Sequence, residues 1–321
     1  MKHILPIKTP KISCYNQHAN LLAIISQSEA YLPWFYNNYF QLQFTNDIFD
    51  ESVGARLDFE MPLLFDGCPY IERQSMGRIF IDRYWKKVSS FLRECIDNGY
   101  YVYITIDVFY VDGYHDFQKE HGEHPILIFG YDSTDNTFWT ADNFFNGQYA
   151  TRKIEAEQIE KGYHIFAFYD RDAYMDGVTL FKYKNRNQFW NWKHDYVFDK
   201  KFMKNSVMCF INSVGLNDYG IIGIEQWKGT TLVYGRNCYE GINVYLDCMP
   251  YYDGRLFYVL WEHKKTMVDR IEYMTLNKLI EADNQMCQIF KTIEHKANVI
   301  GKLWIKYGVT KNPEVLRRVK I

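Results

Sequence analysis

Four consecutive apolar runs between residues 100 and 170 most restrict the folds open to this chain. They read YYVYITIDVFYVDG (100–113), HPILIFGYD (124–132), TFWTADNFF (137–145) and YHIFAFYD (163–170). Runs with period-two alternation or continuous apolar character are typical of half-buried and fully buried strands. The second run is joined to the third by the turn residues Asp132, Ser133, Asp135 and Asn136, which predicts a hairpin. We therefore expect one mostly antiparallel sheet.

Helical spacing precedes and follows this strand-rich block. After Ser13 the apolar residues recur every three or four positions, which predicts a helix with Ser13 as its N-cap and Cys14 in its first turn. A second amphipathic pattern covers residues 77–99 and ends at a typical Asn-Gly stop signal. From Leu256 onward the spacing predicts two long helices, and one face of the second is apolar: Met286, Phe290, Ile293, Ala297, Ile300 and Trp304.

Composition argues against several classes of function. A net charge of −2 over 321 residues gives no general attraction to phosphate, so we expect no nucleic-acid binding. No apolar run reaches the roughly 18 residues of a membrane-spanning helix, and the first residues lack a secretory pattern, so we expect no membrane association and a cytoplasmic location. Seven cysteines without a CxxC pair indicate neither a disulfide framework nor a zinc knuckle.

Three residues, far apart in the chain, form a candidate catalytic set. A cysteine at a helix N-terminus meets unpaired N–H groups and the positive end of the helix dipole, which favour the thiolate, and Cys14 is so placed. His124 opens a core strand and Asp142 lies near the end of the next one. A histidine beside the thiol acts as base, and a carboxylate on its other ring nitrogen fixes its tautomer. The chain order Cys, His, Asp is that of papain-like enzymes.

Other histidines offer weaker alternatives. His115, His121 and His124, with carboxylates between them, suggest a metal site, but this loop spacing has no helix to place two ligands on one face. A solvated polar loop is the simpler interpretation, and we expect no metal and no cofactor. His18 follows Cys14 by four residues, although we expect it to pack or to form a hydrogen bond on its own helix.

The block VYITIDVFYVDGYHDFQKEHGEHPILIFGYDSTDNTFWTADN (102–143) resembles the core of the butirosin-biosynthesis protein H family. The shared pattern is a strand ending in Asp-x-x-Tyr, a polar loop, a histidine opening a strand that ends in Gly-Tyr-Asp, and a further strand ending in Asp. An early cysteine before a helix, SCYNQHANLLAII, completes it, and VLWEHKKTMVDRIEYM is similar to a later helical segment. This family is papain-like and is found with peptide-synthetase and related biosynthetic machinery, including that of antibiotics.

The resemblance implies an N-acyltransferase that moves an acyl group from a carrier-protein thioester, through an acyl-cysteine, to an amine. By position, Cys14 is the nucleophile, His124 the general base and acid, and Asp142 the orienting residue. Papain relatives use a glutamine upstream of the cysteine in the oxyanion hole, and no glutamine precedes Cys14. We expect the Cys14 N–H to serve instead, aided by Tyr15 or Asn16. Asp107 and Tyr110 match Asp-x-x-Tyr, and a structural hydrogen bond at the strand end is the role we favour for them.

The implied partners are an acyl carrier protein or peptidyl carrier domain, and an amine acceptor that is a small molecule or peptide. The basic, aromatic stretch 181–204 is a candidate dock for an acidic carrier protein, with a solvated surface loop as the alternative. Its cations are Lys182, Lys184, Arg186, Lys193, Lys200, Lys201 and Lys204.

Two other functions stay open. A cysteine peptidase or amidase keeps the same triad but lets water resolve the acyl-cysteine. A non-catalytic papain-like binding module for a synthetase or carrier protein needs no sulfur at Cys14.

We therefore expect an α+β fold, in which a papain-like catalytic domain with an antiparallel sheet spans residues 1–175. A mixed and then mainly helical region, residues 176–321, is expected to form the acceptor site or the partner surface. The high aromatic content, 18%, fits thick sheet packing or a site lined by rings.

Overall fold

A computed structural model describes residues 1–45, 55–61, 64–144, 147–164, 177–184, 196–216, 232–248, 252–281 and 283–320. The chain has an α+β fold with antiparallel sheets and divides into two compact units. The first unit comprises residues 1–31 and 63–195, and the second comprises residues 32–62 and 196–321. This grouping differs from the expected division at residue 175, because an early segment belongs with the C-terminal part.

The strands are β1 (Lys2–Ile4), β2 (Leu42–Thr45), β3 (Leu57–Phe59), β4 (Ile71–Gly77), β5 (Tyr100–Asp107), β6 (Glu123–Asp132), β7 (Thr137–Asn143), β8 (Tyr149–Glu155), β9 (Gly177–Tyr183) and β10 (Leu232–Tyr234). The helices are α1 (Asn16–Ile25), α2 (Leu32–Asn38), α3 (Arg78–Tyr84), α4 (Val88–Asp97), α5 (Ala156–His164), α6 (Lys200–Asn212), α7 (Asn237–Cys248), α8 (Leu256–Leu276), α9 (Asn284–Thr310) and α10 (Pro313–Arg317).

The large sheet of the first unit has the strand order β4-β9-β5-β6-β7-β8, and β1 pairs with β6. All of these pairs are antiparallel. The side chains of residues 126–129 are all buried, so both faces of β6 are covered. Helix α1 packs against β6 and β7, and α4 packs against β5 and β6. Burial on both faces explains why this strand is apolar nearly throughout, rather than alternating between apolar and polar residues.

Three of the four predicted strands are confirmed in position. The hairpin between β6 and β7 is also confirmed, and Asn136 adopts the left-handed conformation (φ 54°) that asparagine tolerates in such turns. The prediction for residues 163–170 is wrong at its start, because Tyr163 and His164 end helix α5; residues 165–170 lie outside the described part. Strand β8 was not predicted, since YATRKIE is polar on its exposed side.

The helix predicted over residues 77–99 is instead two helices, α3 and α4, separated by residues 85–87. Trp85 is extended (φ −120°, ψ 125°) and ends α3. Its ring lies 5.0 Å from that of Phe91, and its indole N–H donates to a Glu94 carboxylate oxygen at 2.8 Å. These contacts with the next helix require the chain to turn at Trp85, so tertiary packing overrides the helical spacing.

The second unit contains a three-stranded sheet, in the order β10-β2-β3, and the C-terminal helices. The two long helices predicted after Leu256 are confirmed as α8 and α9. Of the predicted apolar face of α9, only Ala297 and Trp304 are buried, with Trp304 against the rings of Tyr252 and Phe257. Within the described ranges, no helix is both long enough and apolar enough to cross a lipid bilayer.

Arg270 on α8 gives a physical reason for the grouping of residues 32–62 with the C-terminal part. Its guanidinium is buried, donates to the Tyr36 carbonyl at 2.8 Å and to the Tyr39 carbonyl, and lies 4.9 Å from the Phe40 ring. The last carbonyls of a helix have no partner inside it, so Arg270 supplies donors that α2 lacks. A segment distant in sequence is thereby held by the C-terminal helices.

We predict that Arg270→Met lowers the free energy of unfolding by about 3 kcal/mol, because it leaves buried carbonyls without donors. Chemical unfolding followed by tryptophan fluorescence measures the change. Lys265→Met is the control on the same helix, since Lys265 is exposed, and should change stability by less than about 0.5 kcal/mol. Equal effects of the two substitutions would contradict the role assigned to Arg270.

Candidate active site

Cys14 lies directly before Tyr15, the N-cap of helix α1, whose first residue is Asn16. The predicted start at Ser13 is therefore wrong by two residues. An N-cap carbonyl accepts the first bond of its helix, but the Ser13 carbonyl accepts from the Asn143 side-chain amide at 2.8 Å. The Tyr15 carbonyl instead accepts from the Ala19 N–H at 3.0 Å. Cys14 thus stands just outside the helix end rather than in its first turn.

The N-terminus of α1 keeps its positive character close to Cys14. Its first turn contains no acidic residue, and the Tyr15 side chain does not cap it. An N-terminal partial charge favours a nearby anion and weakens within one turn. Cys14 itself is 8% exposed, so little water screens this effect.

His124 and Asp142 form a pair, with Nε2 of the histidine 2.8 Å from Oδ2 of the aspartate. The β6–β7 register explains it, because Leu127 lies opposite Ala141. Extending this register sets residue 126 opposite Asp142, so His124 is its diagonal neighbour on the same face. The Asp142 side chain is fully buried, whereas that of His124 is 36% exposed. The carboxylate is therefore held within the protein, and the imidazole borders solvent.

Two further donors contact the Asp142 carboxylate. The Tyr114 hydroxyl donates to Oδ2, and the Asn143 backbone N–H donates to Oδ1 at 2.7 Å. Burial first, and the neighbouring Asp142 second, raise the pKa of Tyr114 well above its usual value, so the phenol stays protonated. The sequence analysis did not identify Tyr114. The feature that could have identified it is an aromatic residue that follows Gly113 in a mostly polar loop.

The segment that contains Cys14 is hydrogen-bonded to both strands of this pair. On the β7 side, the Asn143 amide holds the Ser13 carbonyl. On the β6 side, the Asn16 side-chain amide donates to the Pro125 carbonyl at 2.7 Å and lies 3.4 Å from His124 Nε2. Consecutive Cα atoms are about 3.8 Å apart. The fold thus brings the backbone of Cys14 to the strand ends that hold His124 and Asp142.

The other candidate residues have structural partners. The Asn16 amide already donates to Pro125, so an oxyanion role for Asn16 or for the buried Tyr15 stays a prediction. Asp107 accepts from the N–H groups of Phe109 and Gly122 at 3.0 and 3.1 Å and contacts His121 at 2.6 Å.

These bonds give Asp107 the structural role at the strand end that its sequence position favours. Tyr110 borders a groove of about 1250 Å³ between residues of α4 and α5. The residues that line this groove with Tyr110 therefore differ from those that contact the Cys14 segment.

Each of the three loop histidines contacts a different carboxylate. His115 contacts Asp116 at 2.9 Å, His121 contacts Asp107 at 2.6 Å, and His124 contacts Asp142. Among the residues that the structure describes, no group of three His, Cys, Asp or Glu side chains is arranged to hold a metal ion. His18 is buried within α1 at 2% exposure. The seven cysteines, all within the described residues, are not joined to one another in disulfide bonds.

The sequence matches no protein-family model and no curated protein at a significant level. The family resemblance therefore stays a prediction.

We predict that iodoacetamide at pH 6 alkylates Cys14 about tenfold faster than the exposed Cys248, because we expect the helix end and His124 to favour its thiolate. Peptide mass mapping over time gives both rates in the same chain. His124→Ala should remove the preference. His121→Ala is the matched control, since this ring contacts Asp107, and should retain it. A Cys14 rate below that of Cys248, unchanged by His124→Ala, would show that the thiol and the imidazole are not coupled.

Proposed function

We propose that this chain is a cysteine-dependent N-acyltransferase that moves an acyl group from a carrier-protein thioester to an amine. The observation that carries the proposal is the His124–Asp142 pair, 2.8 Å apart, at the strand ends to which the Cys14 segment is hydrogen-bonded. A thiol at a helix N-terminus, an imidazole and a buried carboxylate are the groups that acyl-cysteine chemistry needs. The resemblance to the butirosin-biosynthesis protein H family supports the same reaction.

The reaction takes place in two balanced steps. The Cys14 thiolate attacks the thioester carbonyl, the C–S bond to the carrier breaks, and the departing thiolate takes the proton held by His124. The acceptor amine then attacks the acyl-cysteine, loses a proton to His124 and forms the amide, while the Cys14 sulfur leaves. Because Asp142 contacts Nε2, Nδ1 is the ring nitrogen that exchanges protons with the thiol and the amine.

Limited access of water favours transfer over hydrolysis. Cys14 is 8% exposed, and Phe144 is 6% exposed. The Tyr114 ring lies 5.3 Å from the His124 ring and 5.3 Å from the Phe144 ring. Because Cys14 is buried, few water molecules reach an acyl group on its sulfur, so the acyl-cysteine survives until an amine of sufficient nucleophilicity arrives.

A carrier protein is the proposed donor, and the basic stretch 181–204 is a proposed dock for its acidic surface. The described lysines of this stretch lie on two units, Lys182 and Lys184 in the first and Lys200, Lys201 and Lys204 in the second. Arg186 and Lys193 lie outside the described residues.

We predict that incubation with a carrier protein bearing an acyl-phosphopantetheine thioester adds the mass of one acyl group to Cys14. Acetyl, octanoyl and aminoacyl carriers serve as probes, and intact-mass spectrometry with peptide mapping locates the adduct. Cys14→Ala should abolish it, and His124→Ala should slow its formation by on the order of 100-fold or more. Cys248→Ala is the matched cysteine control and should leave the adduct unchanged.

Adding an amine then separates the possible functions. Amide formation that outpaces release into water supports transfer, whereas decay at a rate independent of amine identifies a hydrolase. Absence of an adduct with every probe, together with carrier binding that survives Cys14→Ala, would replace the enzyme with a binding module. Acylation of another cysteine would show that the nucleophile is not Cys14.

A further inference from the structure

The Asp142 carboxylate distributes its hydrogen bonds unevenly between its two oxygens. Oδ2 contacts both His124 Nε2, at 2.8 Å, and the Tyr114 hydroxyl, whereas Oδ1 accepts from the Asn143 N–H. The side chain of Asp142 is fully buried, so protein donors replace the water that would solvate its charge. The tyrosine hydroxyl and the imidazole therefore share one oxygen.

A second donor on the same oxygen competes with the imidazole for the negative charge of that oxygen. A hydrogen bond to the charged form of a carboxylate stabilises this form and weakens its attraction for a proton. The Tyr114 hydroxyl thus reduces the negative charge that Oδ2 offers to the imidazolium of His124. Because the phenol remains protonated, as burial beside Asp142 requires, the donor is present throughout the neutral pH range.

The fold holds Tyr114 in place for this contact. Gly113, at φ 108°, lets the loop turn, and a Cβ there would lie 2.8 Å from the Arg152 side chain. Asp107 bonds to Phe109 and Gly122 at the two ends of the same loop. The Tyr114 hydroxyl is therefore presented by a loop that is fixed on both sides.

The other titratable groups near this carboxylate come from β8, β5 and the adjoining loop. Tyr149 on β8 lies close enough to Asp142 for its own pKa to be raised, mainly by burial, and its hydroxyl donates to Asn20 at 2.7 Å. Tyr103 on β5 interacts with Tyr114 and donates to the Asn16 amide oxygen at 3.4 Å. Helix α1 contributes the neutral amides of Asn16 and Asn20. Among the charged side chains on the adjoining loop and on β8, Arg152 pairs with Asp112 at 3.3 Å, and Lys153 pairs with Asp135 at 2.8 Å.

We propose that Tyr114 is a positioning residue that sets how tightly the His124–Asp142 pair holds its shared proton. This rests on the proposed acyl transfer only in assigning His124 as the base for Cys14. Without the hydroxyl, the pair keeps its proton to higher pH, and less neutral imidazole is present to receive a proton from the acceptor amine. Tyr114 therefore acts on the base through the Asp142 carboxylate.

The test is an NMR titration of the full-length protein labelled at histidine ¹³Cε1, with the His124 signal assigned through His124→Gln. Tyr114→Phe should raise the apparent pKa of His124 by about half a pH unit or more. Tyr149→Phe removes a buried hydroxyl that donates to Asn20 rather than to Asp142, and should shift the apparent pKa of His124 by less than about 0.2 pH unit. Circular dichroism confirms that each variant is folded.

A second variant keeps the ring and reverses the expected sign. Site-specific 3-fluorotyrosine at position 114 makes the hydroxyl a stronger donor, so the apparent pKa of His124 should fall. A packing role for Tyr114 does not produce opposite shifts, and this variant also serves if Tyr114→Phe fails to fold. Unchanged titration in both variants, or an equal shift in Tyr149→Phe, would overturn the inference.

The titration needs no thioester, so the two proposals fail separately. If the two Tyr114 variants shift the apparent pKa of His124 in opposite directions but no acyl-Cys14 adduct forms, Tyr114 keeps its role and the His124–Asp142 pair serves a reaction other than acyl transfer. An acyl-Cys14 adduct with a titration that ignores Tyr114 would keep the transferase and remove only the positioning role of Tyr114.

Discussion

The buried carboxylate of Asp142 is the interaction on which the site depends. An ionised carboxylate inside a protein costs several kcal/mol unless donors replace its lost water. Its donors are His124 on β6, Tyr114 in the loop before β6, and the N–H of Asn143, which follows Asp142 on β7. Each donor fixes a different piece of chain, so satisfying one charge orients His124, places Tyr114 and ends β7 in a defined geometry.

Two asparagines extend this arrangement to the start of the chain. Asn143 follows Asp142 and holds the Ser13 carbonyl, while Asn16 holds the carbonyl that follows His124. Both bonds are made to backbone carbonyls, so these two polar side chains join the chain before α1 to β6 and β7. The result places a cysteine at the positive end of a helix, beside the strand ends that hold a histidine and an aspartate.

Period-two and continuous apolar patterns were sufficient to predict β5, β6 and β7, and helical spacing predicted α8 and α9. The same spacing failed over residues 77–99, because the contacts of Trp85 with α4 end the first helix. It also placed the start of α1 too early, because the first helical bond is accepted by the Tyr15 carbonyl, whereas the Ser13 carbonyl accepts from the Asn143 amide. A local pattern measures what a segment prefers, and these two failures occur where side-chain contacts outside the helical repeat end the helix or hold the chain before it.

By itself, the sequence determined the strand and helix types and supplied Cys14, His124 and Asp142 as candidates, because residue chemistry and periodicity are local properties. Only the tertiary structure decided that the segment around Cys14 meets β6 and β7, that Tyr114 shares the carboxylate, and that residues 32–62 belong with the C-terminal helices. These contacts join residues about a hundred or more positions apart, or depend on register and loop geometry. Such relations arise from packing and hydrogen bonding of the whole chain, which no local pattern encodes.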